Sequence, residues 1–222
     1  MLTVGENTNL HKFIRYIEPA VKAGNRKYWV WKSGPVPDRL GAWAENAPVP
    51  NVDNVEQLFC AAVPNLALRR VGKRIPFRLN AQGNETIDGG VAAYFDGVLG
   101  NGYYHTFTAH LNYKRARKWA RETRSGVLVG WPFRGSALLD QGHVGILLPS
   151  GFVLQCFSDP NGPDLNWNYT IEQFGHGVRH ALMVHPKNWI EYEGDLADWA
   201  KEEREKEERE KDKKGKPEHK PH

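Results

Sequence analysis

The sequence predicts an α+β fold in which N-terminal helices pack on an antiparallel sheet. Apolar residues recur at helical spacing in the first half, and runs of β-forming residues follow Ser125-Gly126. A turn signal at Pro149-Ser150-Gly151 joins two of those runs as a hairpin. Helices first and strands after is the order of an α+β domain, not the alternation that builds a parallel sheet.

The first helix runs from Asn9 to Lys22, with Leu10, Phe13, Ile14, Ile17 and Val21 three and four apart. Pro19 puts its last turn in question, and Gly24 stops it. Tyr28-Trp29-Val30-Trp31 reads as a short extended segment, and residues 32–52 as a loop with four prolines. Val55, Leu58, Phe59, Ala62, Val63, Leu66 and Ala67 form one side of a second helix. Pro64 cannot bond back to the Cys60 carbonyl and is tolerated only in a first turn, so this helix starts near Cys60 and ends near Gly72. Residues 77–104 are glycine-rich and read as irregular. Asn112 caps a helix to Thr123, with Ala116, Trp119 and Ala120 inward. The strand candidates are Val127–Trp131, His143–Leu148, Phe152–Phe157 and Ala181–Val184. The domain therefore spans residues 1–192, and residues 193–222 form a charged tail, partly helical through pairs such as Glu202–Lys206 or disordered.

A chain of 222 residues, 40% hydrophobic and 25% charged, suits one globular domain plus an appendage. The net charge of +4 is spread over both signs, which predicts no dedicated nucleic-acid groove. Cys60 and Cys156 are the two cysteines, too few for a disulfide framework, and no Cys-x-x-Cys pair exists. Met1 to Asn9 is polar and no apolar run approaches bilayer length, so neither a signal peptide nor membrane insertion is expected.

Three residues can carry chemistry together. Cys60 sits at a helix start, where unpaired amides and the helix dipole favour a thiolate. The alternative is an inert cysteine on an apolar helix. His143 opens a strand after Gly142 and has the pKa of a general base; the alternative is a hydrogen-bonded core histidine. Gln155 lies on the other arm of the hairpin, where its amide oxygen can fix the imidazole tautomer, or simply be a polar strand residue.

With Gly72 twelve residues after Cys60 and Ile75-Pro76 just beyond, the first segment resembles the NlpC-type superfamily of cell-wall cysteine peptidases. That family carries a cysteine, a helix, then Gly and Leu-Pro at set distances. Gly142-His143-Val144-Gly145-Ile146-Leu147 is similar to its histidine strand, and counting onward puts its third residue at Gln155. Val127-Leu128-Val129-Gly130 is similar to its preceding strand, and Gly24 to Trp31 to its entry segment, which makes Tyr28 and Trp31 candidates for substrate or oxyanion contacts. The stretches Leu58–Pro76, Lys118–Thr123, Asp140–Gln155, Leu165–Glu172 and Met183–Ile190 also resemble the N-terminal peptidase region of lysins from phages of mycobacteria and their relatives. Phe59, Ala61 and Ala62 stand where the family has Asp, Ser and Gly, which alters specificity more than the nucleophile.

The resemblance implies a papain-like fold and a phage endolysin component that cuts amide bonds of the peptidoglycan stem peptide, with no cofactor or metal. It implies a monomer in the host cytoplasm that reaches the wall on lysis through a separate holin. Asp159 and Asn166 stay open as alternatives to Gln155. Two other functions compete. A zinc amidase would use His176, His180, His185, His105 and His110, although Gly175 and Gly177 argue against a helical pair. A non-catalytic wall-binding module would use Tyr28, Trp29, Trp31, Trp131 and Trp167 as a saccharide groove, unless these rings are core.

Overall fold

The computed structural model describes residues 4–24, 60–73, 75, 77–79, 85–87, 91–95, 108–132, 142–157, 159–194 and 209. Tyr28, Trp29, Trp31, His105, the loop expected over 32–52, Val55–Phe59 and nearly all of the tail lie outside those residues; Arg209 within the tail is helical.

Helix α1, Asn9–Lys22, is capped by Thr8, whose side chain accepts from the His11 amide. Leu10, Phe13, Ile14, Ile17, Ala20 and Val21 form its buried stripe. The doubt over its last turn is corrected: Pro19 is exposed, while Ile17, Ala20 and Val21 hold that turn against the core. Gly24, at φ 68°, ends it.

Helix α2, Ala62–Arg70, begins at the N-cap Ala61, with Pro64 inside its first turn as the missing amide requires. Its end is a Schellman motif. Gly72 takes φ 75°, its amide donates to the Arg69 carbonyl at 3.0 Å, and the Lys73 amide to that of Leu68 at 2.9 Å. Leu66, Ala67 and Leu68 are fully buried, so α2 is enclosed on nearly every side.

Residues 77–104 are not wholly irregular. Strands β1, Phe77–Leu79, and β2, Glu85–Ile87, pair antiparallel, and Val91–Phe95 forms a short helix α3. The strands are three residues long, below the length at which period-two alternation stands out.

The main sheet has β3, Ala109–His110; β4, Val127–Trp131; β5, His143–Leu147; β6, Phe152–Cys156; β7, Leu165–Thr170; and β8, Leu182–Val184. Their order is β3-β8-β4-β5-β6-β7, and every neighbouring pair is antiparallel. Helix α4, Tyr113–Thr123, starts at Asn112, whose side chain accepts from the Arg115 amide. The antiparallel α+β architecture is thus as the sequence predicts, and helices lie on both faces of the sheet. Helices α1 and α2 cover one face of the sheet through Leu128, Val144, Ile146, Leu154 and Cys156. Helix α4 covers the other through Val127, Val129, Leu147 and Val153, so both faces are buried. That is why β4 is buried at every position instead of alternating.

Strand β7 was not among the expected strands, although Leu165, Trp167 and Tyr169 alternate with Asn166, Asn168 and Thr170. Asparagine is depleted in strands and masks that alternation. Thr170 and Gln173 close a capping box at the start of helix α5, Ile171–Phe174.

Gly130 makes the closest approach in the sheet. A Cβ there would lie 2.3 Å from the His143 carbonyl oxygen and 2.7 Å from Phe95 Cε2. Backbone and a fully packed ring cannot move aside cheaply, so Gly130→Ala is expected to cost roughly 3 kcal/mol in urea unfolding. A cost below about 0.5 kcal/mol would mean that β4 and β5 sit further apart than described.

Candidate active site

Cys60 lies in the turn just before the N-cap Ala61 and is partly exposed. Pro64 contributes no first-turn donor, which leaves the amides of Ala61, Ala62 and Val63 at the helix start. Burial of the thiol dominates and pushes its pKa up to about 11, opposed by hydrogen bonds from the backbone at Ala61, Val144 and Cys60 itself. The residue keeps some solvent contact, but the sulfur itself is crowded, and the crowding sets the direction of the shift. The helix start therefore acts on Cys60 as expected, yet desolvation outweighs it.

His143 is the first residue of β5, paired across the ladder with Trp131. Its ring lies among Trp131, Phe174 and Phe157, at centroid separations of 5.5, 5.3 and 6.0 Å. Nε2 is 2.8 Å from Gln155 Oε1. An amide oxygen only accepts, so Nε2 carries the proton and Nδ1 presents the lone pair. Burial holds the imidazole down at about 4 against the raising effect of the Gln155 bond, so it is neutral at pH 7.

Gln155, only 3% exposed, is fixed on β6 beside a bulge in its pairing with β7. Asp159 and Asn166, the alternatives to it, are engaged elsewhere. Asp159 accepts from the Asn161 amide and the Tyr169 hydroxyl, and Asn166 donates to the carbonyls of Pro163 and Asp164. Both organise the β6–β7 connection.

The structure therefore joins imidazole and carboxamide, and brings the sulfur to the backbone amide of the residue after His143. It forms no hydrogen bond between the Cys60 sulfur and the His143 ring. Cys60 packs with the α1–α2 face of the sheet, and the ring packs with aromatics of the α4 face. The two meet at the first residues of β5. Cys156 stands close by, its buried thiol raised by burial first and then by Cys60 and Asp164.

No family model, curated protein or solved structure matches the chain.

Trp131 is 6% exposed and packs on Phe174, so it belongs to the core and not to an open saccharide groove. Its place against the imidazole, with Phe174 and Phe157, went unassigned in the sequence; the equal spacing of Trp131 and His143 from the β4–β5 connection is the signal that could have paired them. Among the described residues no three His, Cys, Asp or Glu side chains come within reach of one metal ion. His176 follows α5 in a turn, and His185 caps a 3-10 turn by accepting from the Lys187 amide at 3.2 Å. Among the described residues no helix is long and apolar enough to cross a membrane.

With the thiol raised by burial and the imidazole neutral, little thiolate stands at pH 7. Alkylation of Cys60 by iodoacetamide, followed by peptide mapping, is expected to accelerate about tenfold per pH unit from pH 7 to 9.5. A plateau reached below pH 8 would mean that the sulfur and ring form an ion pair in solution.

Proposed function

We propose that this chain is a papain-like cysteine peptidase of the NlpC type, a phage endolysin component that hydrolyses an amide bond of the peptidoglycan stem peptide. The His143–Gln155 hydrogen bond carries the reading: it fixes the tautomer that turns a basic nitrogen away from the carboxamide, next to the strand residue whose amide meets the Cys60 sulfur. In the reaction the ring Nδ1 takes the thiol proton as sulfur bonds to the carbonyl carbon. Helix-start amides hold the oxyanion, with Tyr28 and Trp31 as further contacts to substrate. The imidazolium returns its proton to the departing amine as the carbon–nitrogen bond breaks. Water, deprotonated by the same nitrogen, then cleaves the thioester and restores the thiol. Closing the gap between sulfur and ring is a movement that substrate binding drives, since such pairs are often loose before substrate arrives.

The reaction needs no cofactor. The protein acts as a monomer made in the host cytoplasm, and a separate holin gives it access to the wall. A second reading, a non-catalytic wall-binding module, is favoured by one observation: the Cys60 sulfur and the His143 ring share no hydrogen bond and pack with different faces of the sheet. Mass spectrometry of peptidoglycan digested by the wild type and by Cys60→Ala decides between them. New stem-peptide termini are expected from the wild type alone; identical fragments from both proteins overturn the thiol mechanism.

A further inference from the structure

Cys156 takes no part in the proposed reaction, yet it stands beside the nucleophile. It is the last residue of β6 and fully buried, and Cys60 packs against the same apolar cluster. The register shows how the two meet. Strands β5 and β6 pair at Ile146–Leu154 and Leu147–Val153. Continued two residues, that register sets Val144 level with Cys156, and both point to the α1–α2 face, where they join that cluster. The Val144 amide donates to the Cys60 sulfur, and a charge on Cys60 opposes ionisation of Cys156. Opposed strand residues sit about 5 Å apart, which leaves the two sulfurs within a side-chain rotation of contact. Cys60 lies in the turn before the N-cap Ala61, so it can make that rotation without unwinding α2.

We infer that Cys60 and Cys156 are a modification site, a reversible disulfide in which Cys156 captures the oxidised Cys60. The partly exposed Cys60 meets an oxidant first, and the buried Cys156 meets only Cys60. The oxidant is a hydroperoxide, hydrogen peroxide in the simplest case. The Cys60 sulfur attacks a peroxide oxygen, the O–O bond breaks, and a sulfenic acid and one water form. The Cys156 sulfur then attacks the Cys60 sulfur, the S–O bond breaks, and the Cys156 proton leaves with the hydroxyl as a second water. Two thiols and one peroxide thus give one disulfide and two waters, with two electrons passing from sulfur to oxygen. A dithiol reverses the bond by exchange. Burial raises both thiols, so the bond forms slowly at neutral pH and faster in alkali. Only its consequence rests on the cysteine-peptidase reading: the disulfide switches hydrolysis off and shields the nucleophile from irreversible oxidation.

The test is peptide mapping of the full, reduced chain after hydrogen peroxide at about pH 8.5, digested without reductant. The expected product joins the Cys60 and Cys156 peptides within one molecule, and dithiothreitol abolishes it. Cys156→Val, whose activity on peptidoglycan should match the wild type before treatment, is expected instead to carry Cys60 on to sulfinic and sulfonic acids. Dithiothreitol should then raise the activity of treated wild type about tenfold or more and leave treated Cys156→Val inactive. Sulfinic or sulfonic Cys60 in the wild type, with Cys156 still a free thiol, overturns the proposal. So does a crosslink found only between molecules, or only in urea-unfolded protein. The wild-type map needs neither turnover nor a folded variant, so a peptidase that fails to cut and a disulfide that fails to form are separately visible.

Discussion

His143→Ala is expected to lower kcat for peptidoglycan cleavage by about 10³-fold or more, with KM little changed. The loss should nearly equal that of Cys60→Ala, because nucleophile and base act as a unit and removing either disables both. The same variant has a readout independent of turnover. The imidazole pKa is about 4 in the fold against 6.5 for the free side chain. Between those values the unfolded chain binds a proton that the folded one refuses, so stability increases with pH. The contribution is fully present above pH 6.5 and is lost as pH falls through 4. At about 1.4 kcal/mol per unit the slope integrates to roughly 3 kcal/mol, less whatever solvent screening removes at this partly exposed residue. His143→Ala should flatten that slope in urea unfolding between pH 6.5 and 4. Gln155→Glu should instead raise the imidazole pKa, because a carboxylate acceptor stabilises the imidazolium, and should shift the acid limb of activity to higher pH. Turnover undiminished in His143→Ala would remove the imidazole from the mechanism, whatever the unfolding data show.

The parts of this molecule that follow local rules were legible in its residues. Helix α4 follows from Asn112 and the Ala116–Ala120 spacing, α2 from the constraint at Pro64 and the stop at Gly72, and the β5–β6 hairpin from Pro149-Ser150-Gly151. The His143–Gln155 contact was legible too, since both lie on one side of a hairpin whose register the turn sets. The placing of Cys60 relative to the ring was not. Spacing brings a helix start to the first residues of β5, but which sheet face each side chain joins depends on the packing of α2 against Val144 and Cys156. The direction of the thiol shift was illegible for the same reason: dipole and amide effects are local, desolvation is not. The missed strand β7 has its own cause. Asn166 and Asn168 read as loop residues in sequence, and only the pairing with β6 makes that segment a strand.

Trp189→Ala is expected to cost about 4 kcal/mol, the largest stability effect of any prediction made for this chain. Trp189 is fully buried, and its indole nitrogen donates to the Gly126 carbonyl at 2.7 Å. Two residues on, Glu191 accepts from the amides of Asn9 and Leu10, at 2.9 and 3.0 Å, and from the Ser125 hydroxyl at 2.5 Å. The closing segment thus fastens the first turn of α1 to the entry of β4, and β4 is the strand that holds β5 in register. Removing the indole leaves a cavity and an unpaired buried carbonyl, and the two costs add. Trp189→Phe separates them: it keeps most of the volume and loses the bond, so about 1–2 kcal/mol is expected. For a domain of this size, 4 kcal/mol corresponds to a fall in Tm of roughly 8–16 °C. A loss below about 1 kcal/mol in Trp189→Ala would show that the closing segment does not clamp the sheet. His143 would then owe its position to the β5–β6 hairpin alone.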